Sequence, residues 1–272
     1  MNFIFEYKKA LYRGDMVEVP VPVVKFEMEY NGIVEGHHIL VDTGSNGTHI
    51  NTKGLAIVGS KYEIAVDITH IKLKLFLPYT DELVNFYVNR LSDLTAKEDY
   101  PNPVGLIGCN ILKDYLLIID YRSKEIWFEK AGSIKDDLYK IEAEFTENYF
   151  IFFQVNYSGK KLKLIFDTGC GDDLILFEHR VNLIYTTLET NDSRGANGAS
   201  YQIDTAENEI QITDTYKTKI KIFKNHEVTK DFDFDGILGN NIFFDNKIYI
   251  DYPNKSFYTE QPCVLMDAKN HK

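Results

Sequence analysis

A chain of 272 residues that is 44% hydrophobic and 14% aromatic has ample material for a core. Its 30 basic and 41 acidic residues leave a net charge of −11, which argues against a nucleic-acid partner because affinity for phosphates comes mainly from Lys and Arg. No apolar run reaches the length of a membrane span, and "MNFIFEYKKALYRGDM" lacks the apolar stretch of a secretory signal.

Cys109, Cys170 and Cys263 are too few and too scattered for a disulfide framework, so a soluble protein of a reducing, cytoplasmic compartment is expected. The adjacent His37 and His38 point to opposite faces of any strand that holds them, and His-Glu-x-x-His is absent. No metal or cofactor is expected.

In chain order, "MNFIFEYKKALYRGD" reads as a first strand with a polar turn. Residues 17 to 30, rich in Val with two prolines, suit an edge strand entering a sheet. "HHILVD", "IKLKLFL", "LVNFYV", "LLIIDY" and "EIWFE" follow as strands in the first half. "KLKLIFD", "YQID", "EIQIT", "KIKIF", "KIYIDY" and "SFYT" follow in the second, divided by Asn, Asp, Gly and Ser turns. Short helices are expected only at "CNILKDY" and "NNIFFDN", with Asn110 and Asn240 near their starts. The polar stretch 133 to 140 reads as a linker between lobes 1–132 and 141–272, each of ordinary domain size.

The two halves repeat. "ILVDTGSNG" at 39 to 47 matches "LIFDTGCGD" at 164 to 172, "VGLIGCNIL" matches "DGILGNNIF", and "IIDYRSKEIWFEK" matches "YIDYPNKSFYTE". The offset is 125 residues at the Asp-Thr-Gly turns and 131 at the later pairs, as expected of a duplicated domain with one short insertion.

A single Asp-Thr-Gly after an apolar strand is an ordinary turn, but two in duplicated lobes would bring Asp42 and Asp167 together at a shared interface. Carboxylates so placed cannot both ionise cheaply, so the pair holds one proton and can act as base and acid at once. Gly44 and Gly169 allow close backbone approach, and the Thr43 and Thr168 hydroxyls can reach the opposite turn. Ser45 follows the first turn and Cys170 the second. A Ser hydroxyl donates to a carboxylate more strongly than a thiol, so Asp42 is expected to be the ionised member and Asp167 the protonated one.

With these residues in view, the chain resembles a retropepsin-like aspartic protease, of pepsin or retroviral type, with two lobes fused in one polypeptide. The resemblance covers roughly 18 to 130 and 145 to 260. It implies an all-β fold of two pseudo-two-fold-related acid-protease β-barrel lobes, with short helices after the apolar-apolar-Gly segments "LIG" and "ILG". It also implies a monomeric aspartic endopeptidase, a hydrolase in which Asp42 and Asp167 activate a water against a peptide or protein substrate in the inter-lobe cleft. Thr43, Gly44, Ser45, Thr168, Gly169 and Cys170 support the active-site loops. "SRGANGASYQID" resembles the family's flap, with Gly195, Gly198 and Tyr201 as flap or substrate-binding residues, and "IVGSKYEI" with Gly59 is its first-half counterpart. Gly108 and Gly239 read as close-packing positions. The alternative is a catalytically inactive or highly selective peptide-binding protein on the same fold.

Overall fold

The computed structural model describes residues 2–12, 15–30, 32–51, 69–79, 83–89, 101, 103–132, 134, 137–157, 160–181, 187–194, 200–208, 218–224 and 229–261. Its strands in the first half are β1 (Asn2–Tyr12), β2 (Asp15–Tyr30), β3 (Ile33–Val41), β4 (His49–Asn51), β5 (His70–Leu75), β6 (Leu83–Asn89), β7 (Gly105–Ile107), β8 (Leu116–Asp120) and β9 (Glu125–Glu129). The second half adds β10 (Tyr139–Ile141), β11 (Glu144–Phe145), β12 (Ile151–Tyr157), β13 (Lys160–Asp167), β14 (Leu174–Phe177), β15 (Thr187–Arg194), β16 (Ser200–Asn208), β17 (Thr218–Phe223), β18 (Gly236–Gly239), β19 (Lys247–Asp251) and β20 (Ser256–Thr259). Helix is confined, among the described residues, to Cys109–Leu112, Glu178–Val181 and a 3₁₀ turn at Asn240–Phe243. The chain is therefore all-β with very few helices.

Alternation makes some of these strands, while others, such as β7 and β14, are buried throughout. In β5 the apolar Ile71, Leu73 and Leu75 are buried while His70 and Lys72 face water, the period of two that a sheet with one solvated face demands. β9 repeats it with Ile126 and Phe128 inward. The hairpins closing β8 on β9 and β19 on β20 turn alike. Asp120 Oδ1 accepts the Ser123 amide at 3.3 Å and Asp251 Oδ1 the Asn254 amide at 3.1 Å. Lys124 and Lys255 take the left-handed conformation, with φ of 56° and 48°.

The larger sheet runs β10-β20-β19-β8-β9-β1-β2-β3-β7-β4-β6-β5, and β5 returns to pair with β2 through Met28 and Leu75. Six strands, β2 to β7, thus close into a small barrel. The run β10-β20-β19-β8-β9-β1 draws three strands from each half, with β8 antiparallel to β19 through Ile118 and Tyr249. The other sheet runs β11-β12-β13-β18-β14-β17-β16-β15.

One apolar cluster fills the space between, and its ring pairs come from both halves: Phe26 with Phe128 at 5.8 Å, Phe153 with Phe257 at 5.1 Å and Phe166 with Phe243 at 5.4 Å. Each such buried ring contributes about 1.5–3 kcal/mol of transfer free energy.

One expectation changes. Residues 17–30 are not an edge strand, since β2 lies between β1 and β3. Pro20 is tolerated because the β1–β2 register jumps from Tyr7–Pro22 to Lys8–Val19, leaving it in a bulge, where no ladder donor is needed. The strand expected at "EIQIT" lies outside the described residues.

Candidate functional site

Each Asp-Thr-Gly turn sits at the end of a strand held by a three-strand crossing. β3 runs parallel to β7 with Val41 opposite Ile107, β7 runs antiparallel to β4, and the Asp42 amide donates to the Ile107 carbonyl at 3.0 Å. In the second half β13 is parallel to β18 with Asp167 opposite Gly239, and β18 is antiparallel to β14. Glycine is required where the backbones cross. A Cβ at Gly108 would lie 2.2 Å from the Gly47 carbonyl oxygen, and one at Gly239 2.1 Å from that of Asp172, so both are close-packing positions.

The two turns meet. The Thr43 amide donates to Thr168 Oγ1 at 2.9 Å and the Thr168 amide to Thr43 Oγ1 at 3.0 Å. Thr43 Oγ1 donates onward to the Phe166 carbonyl at 3.0 Å, and Thr168 Oγ1 to that of Val41 at 2.6 Å. Both threonines are fully buried, and these four bonds hold strand ends 125 residues apart in sequence. Above them the Asp42 and Asp167 carboxyl groups hydrogen-bond one another. A Cβ at Gly44 would stand 2.5 Å from Asp167 Cγ, and one at Gly169 3.1 Å from Asp42 Cγ, so a side chain at Gly44 is excluded by the opposite acid.

Burial, then the charge of Asp167 and its hydrogen bond, push Asp42 well above the usual carboxylate range against the opposing Gly44 and Ser45 amides. Burial also raises Asp167, opposed by hydrogen bonds from Asp42 and from the Gly169 and Cys170 amides. Both acids are thus raised, and the pair shares one proton. The support expected from Ser45 is not there: Ser45 Oγ donates to the Gly47 carbonyl at 2.9 Å, not to the carboxylate. Ser45→Ala is accordingly expected to leave both acid titrations unmoved and to cost about 1 kcal/mol of stability, which Asp ¹³Cγ shifts and urea unfolding would check. The Cys170 thiol is pushed well up by burial, then by Asp172 and Asp167, and stays protonated.

Four residues that motif reading passed over lie beneath the acids. Asn240 Nδ2 donates to the Thr168 carbonyl, and Tyr121 Oη donates to Asn240 Oδ1. In the other half Cys109 Sγ donates to the Thr43 carbonyl at 3.3 Å and lies 3.9 Å from Tyr252 Oη. The relays cross, each tyrosine reaching a residue of the other half. Asn240 thus serves the turn and does not cap its helical segment; Gly239 and Gly108 occupy the cap positions without side-chain caps. The signal was present in the repeat, where Cys109 matches Asn240 and Tyr121 matches Tyr252 at the same 131-residue offset.

Gly195, Gly198 and the first-half Gly59 lie outside the described residues. Tyr201 is in β16 opposite Ser193, with its side chain outside them. Among the described residues, no group of three or more His, Cys, Asp or Glu side chains could hold a metal ion, and no helix is long and apolar enough to cross a membrane. A buried acid pair holding one proton presents a donor and an acceptor side by side, which suits a carbonyl, an amide or a water.

No protein-family model matches the chain, and no curated protein matches it. Among solved structures the fold is similar to conglutin gamma, described as a unique basic 7S globulin from lupine seeds. That alignment has a TM-score of 0.50 and 10% identity, and covers 96% of this chain and 95% of that one. A basic 7S globulin from soybean aligns with a TM-score of 0.47 and 9% identity, over 97% of this chain and 96% of that one.

The lupine likeness carries the fold alone, and it corrects what the paired motifs implied. The fold that holds them is shared with a protein described as a seed globulin, and no protease family model matches. Membership of the retropepsin-like or pepsin-like aspartic proteases is therefore withdrawn, and with it the hydrolase and endopeptidase assignment.

Proposed function

We propose that this chain is a monomeric peptide-binding protein. Its recognition centre is the acid pair Asp42–Asp167, set between two pseudo-two-fold-related β-barrel lobes, 1–132 and 141–272, that residues 133–140 join. The observation that carries this reading is the interlocked pair of turns, which holds Asp42 and Asp167 side by side at a fixed seam. A peptide group offers the complementary acceptor and donor. Apolar clusters separate from the main core flank both acids. Val21, Val23, Leu40 and Leu106 lie beside the first turn, and Ile175, Phe177, Ile203 and Phe223, with Cys170 against them, lie beside the second. Val19 reaches across to Gly171, whose Cβ would stand 2.0 Å from Val19 Cγ1, so the two clusters adjoin. A cytoplasmic setting belongs to the same proposal and is supported by the use of the reduced Cys109 thiol as a buried donor.

The test is affinity selection from a random decapeptide library, followed by calorimetry and mass spectrometry of the retained peptides. Bound peptides should be recovered intact, and Asp42→Ala and Asp167→Ala should each weaken binding by about tenfold or more, which is about 1.4 kcal/mol. Retention that is absent in the wild type, or indifferent to both substitutions, would remove the proposal. Peptides recovered cut, with cutting lost in both variants, would replace binding by turnover.

A further inference from the structure

The halves differ most sharply beneath the acids. Each acid accepts the amide two residues on, Gly44 N to Asp42 Oδ1 at 2.8 Å and Gly169 N to Asp167 Oδ1 at 2.7 Å. That amide shares its peptide group with the carbonyl of the preceding threonine. A donor on the carbonyl polarises the whole peptide unit and strengthens the bond its N–H makes to the carboxylate, the cooperative effect expected along a buried chain of hydrogen bonds. The donor on the Thr168 carbonyl is the Asn240 amide, itself engaged by the Tyr121 hydroxyl. The donor on the Thr43 carbonyl is the Cys109 thiol, at 3.3 Å. A thiol is a weak donor and a carboxamide a full one.

We infer that Asn240 with Tyr121, against Cys109 with Tyr252, decides which aspartate holds the shared proton. The strong relay favours the carboxylate at Asp167, and the weak one leaves the proton on Asp42. These four are positioning residues, since they act on the acids through a peptide group. The inference rests on the acid pair being the functional centre, but its test needs no peptide ligand.

Other titratable groups around the pair do not supply this asymmetry. Burial holds Cys109 up at about 12, and burial also holds Tyr252, Tyr121 and Cys170 well above their ordinary values, so all four are neutral in the acid and neutral range. Tyr7 lies beyond Tyr121 and donates to its carbonyl at 2.6 Å. Asp172, beyond Cys170, is paired with Lys221 at 2.6 Å.

Site-resolved ¹³Cγ titration of aspartate, assigned with Asp42→Asn and Asp167→Asn, tests the inference directly. In the wild type Asp167 should ionise at lower pH than Asp42. The exchange Cys109→Asn with Asn240→Cys should invert that order. Tyr121→Phe, which removes one hydroxyl and no packing, should raise Asp167 towards Asp42. Tyr252→Phe, which removes only the 3.9 Å contact to sulfur, should move neither. An unchanged order in the folded exchange variant would overturn the inference, as would equal effects of the two Tyr→Phe substitutions. If the exchange variant does not fold, the Tyr121→Phe and Tyr252→Phe pair decides alone. Loss of peptide binding with this titration pattern intact would sink the proposed function and leave the inference standing.

Discussion

Thr168→Val should lower the stability of the protein by about 2–5 kcal/mol, a large part of the roughly 5–15 kcal/mol that a folded protein has. Valine has the shape of threonine, so no cavity opens. What disappears is an acceptor for the Thr43 amide, at 2.9 Å, and a donor to the Val41 carbonyl, at 2.6 Å, both in a fully buried setting. Each deprived group then carries its own desolvation penalty of about 1–3 kcal/mol.

Thr43→Val removes the mirror pair, the acceptor of the Thr168 amide and the donor to the Phe166 carbonyl. It should cost a similar amount. Thr168→Ser keeps both bonds and should cost only the lost methyl, about 1 kcal/mol. Urea unfolding of the three variants reads this directly. A Thr168→Val loss no larger than that of Thr168→Ser would mean that the reciprocal bonds do not hold the halves together.

How far the sequence could be read follows from the range of each interaction. Ile71, Leu73 and Leu75 alternating with lysines revealed β5, because strand burial has a period of two and needs no partner to be visible. The meeting of Asp42 with Asp167 was also legible, since duplication supplies a long-range contact that no local pattern can. The proton order was not. It was sought in Ser45 and Cys170, the neighbours in sequence, whereas the Ser45 hydroxyl is taken by Gly47. The groups that differ under the acids are Asn240 and Cys109, whose tyrosine partners lie 119 and 143 residues away in the chain.

The prolines of β2 misled in a related way. Absence of an amide proton fits an edge or a bulge equally, and only the register against β1 distinguishes them. Function was the least legible of all. Two motifs fix a geometry, but the same kind of fold carries proteins with different roles, and the family assignment drawn from the motifs did not survive the comparisons.

Asp42→Asn should make the protein more stable at pH 8 and leave it nearly unchanged at pH 4. The sign follows from the direction of the shift. Burial and the neighbouring Asp167 raise Asp42 well above an ordinary carboxylate, so the native state keeps a proton that the unfolded chain has released. The stability linked to that proton is fully present below the unfolded pKa of about 3.9 and is lost as pH rises through the folded value.

Asparagine has no such loss. Its Oδ1 can still accept the Gly44 amide that Asp42 accepts at 2.8 Å, and its Nδ2 can donate to Asp167 as the protonated acid does. Each unit of upward displacement relieved is worth about 1.4 kcal/mol at high pH. Asp167→Asn should act in the same direction, because burial raises Asp167 as well. Urea unfolding at pH 4 and pH 8 separates the cases, and a wild-type pH dependence identical to that of Asp42→Asn would refute the shared proton. The acid pair is thus expected to cost stability at neutral pH, on a seam that the four buried hydrogen bonds of Thr43 and Thr168 hold together.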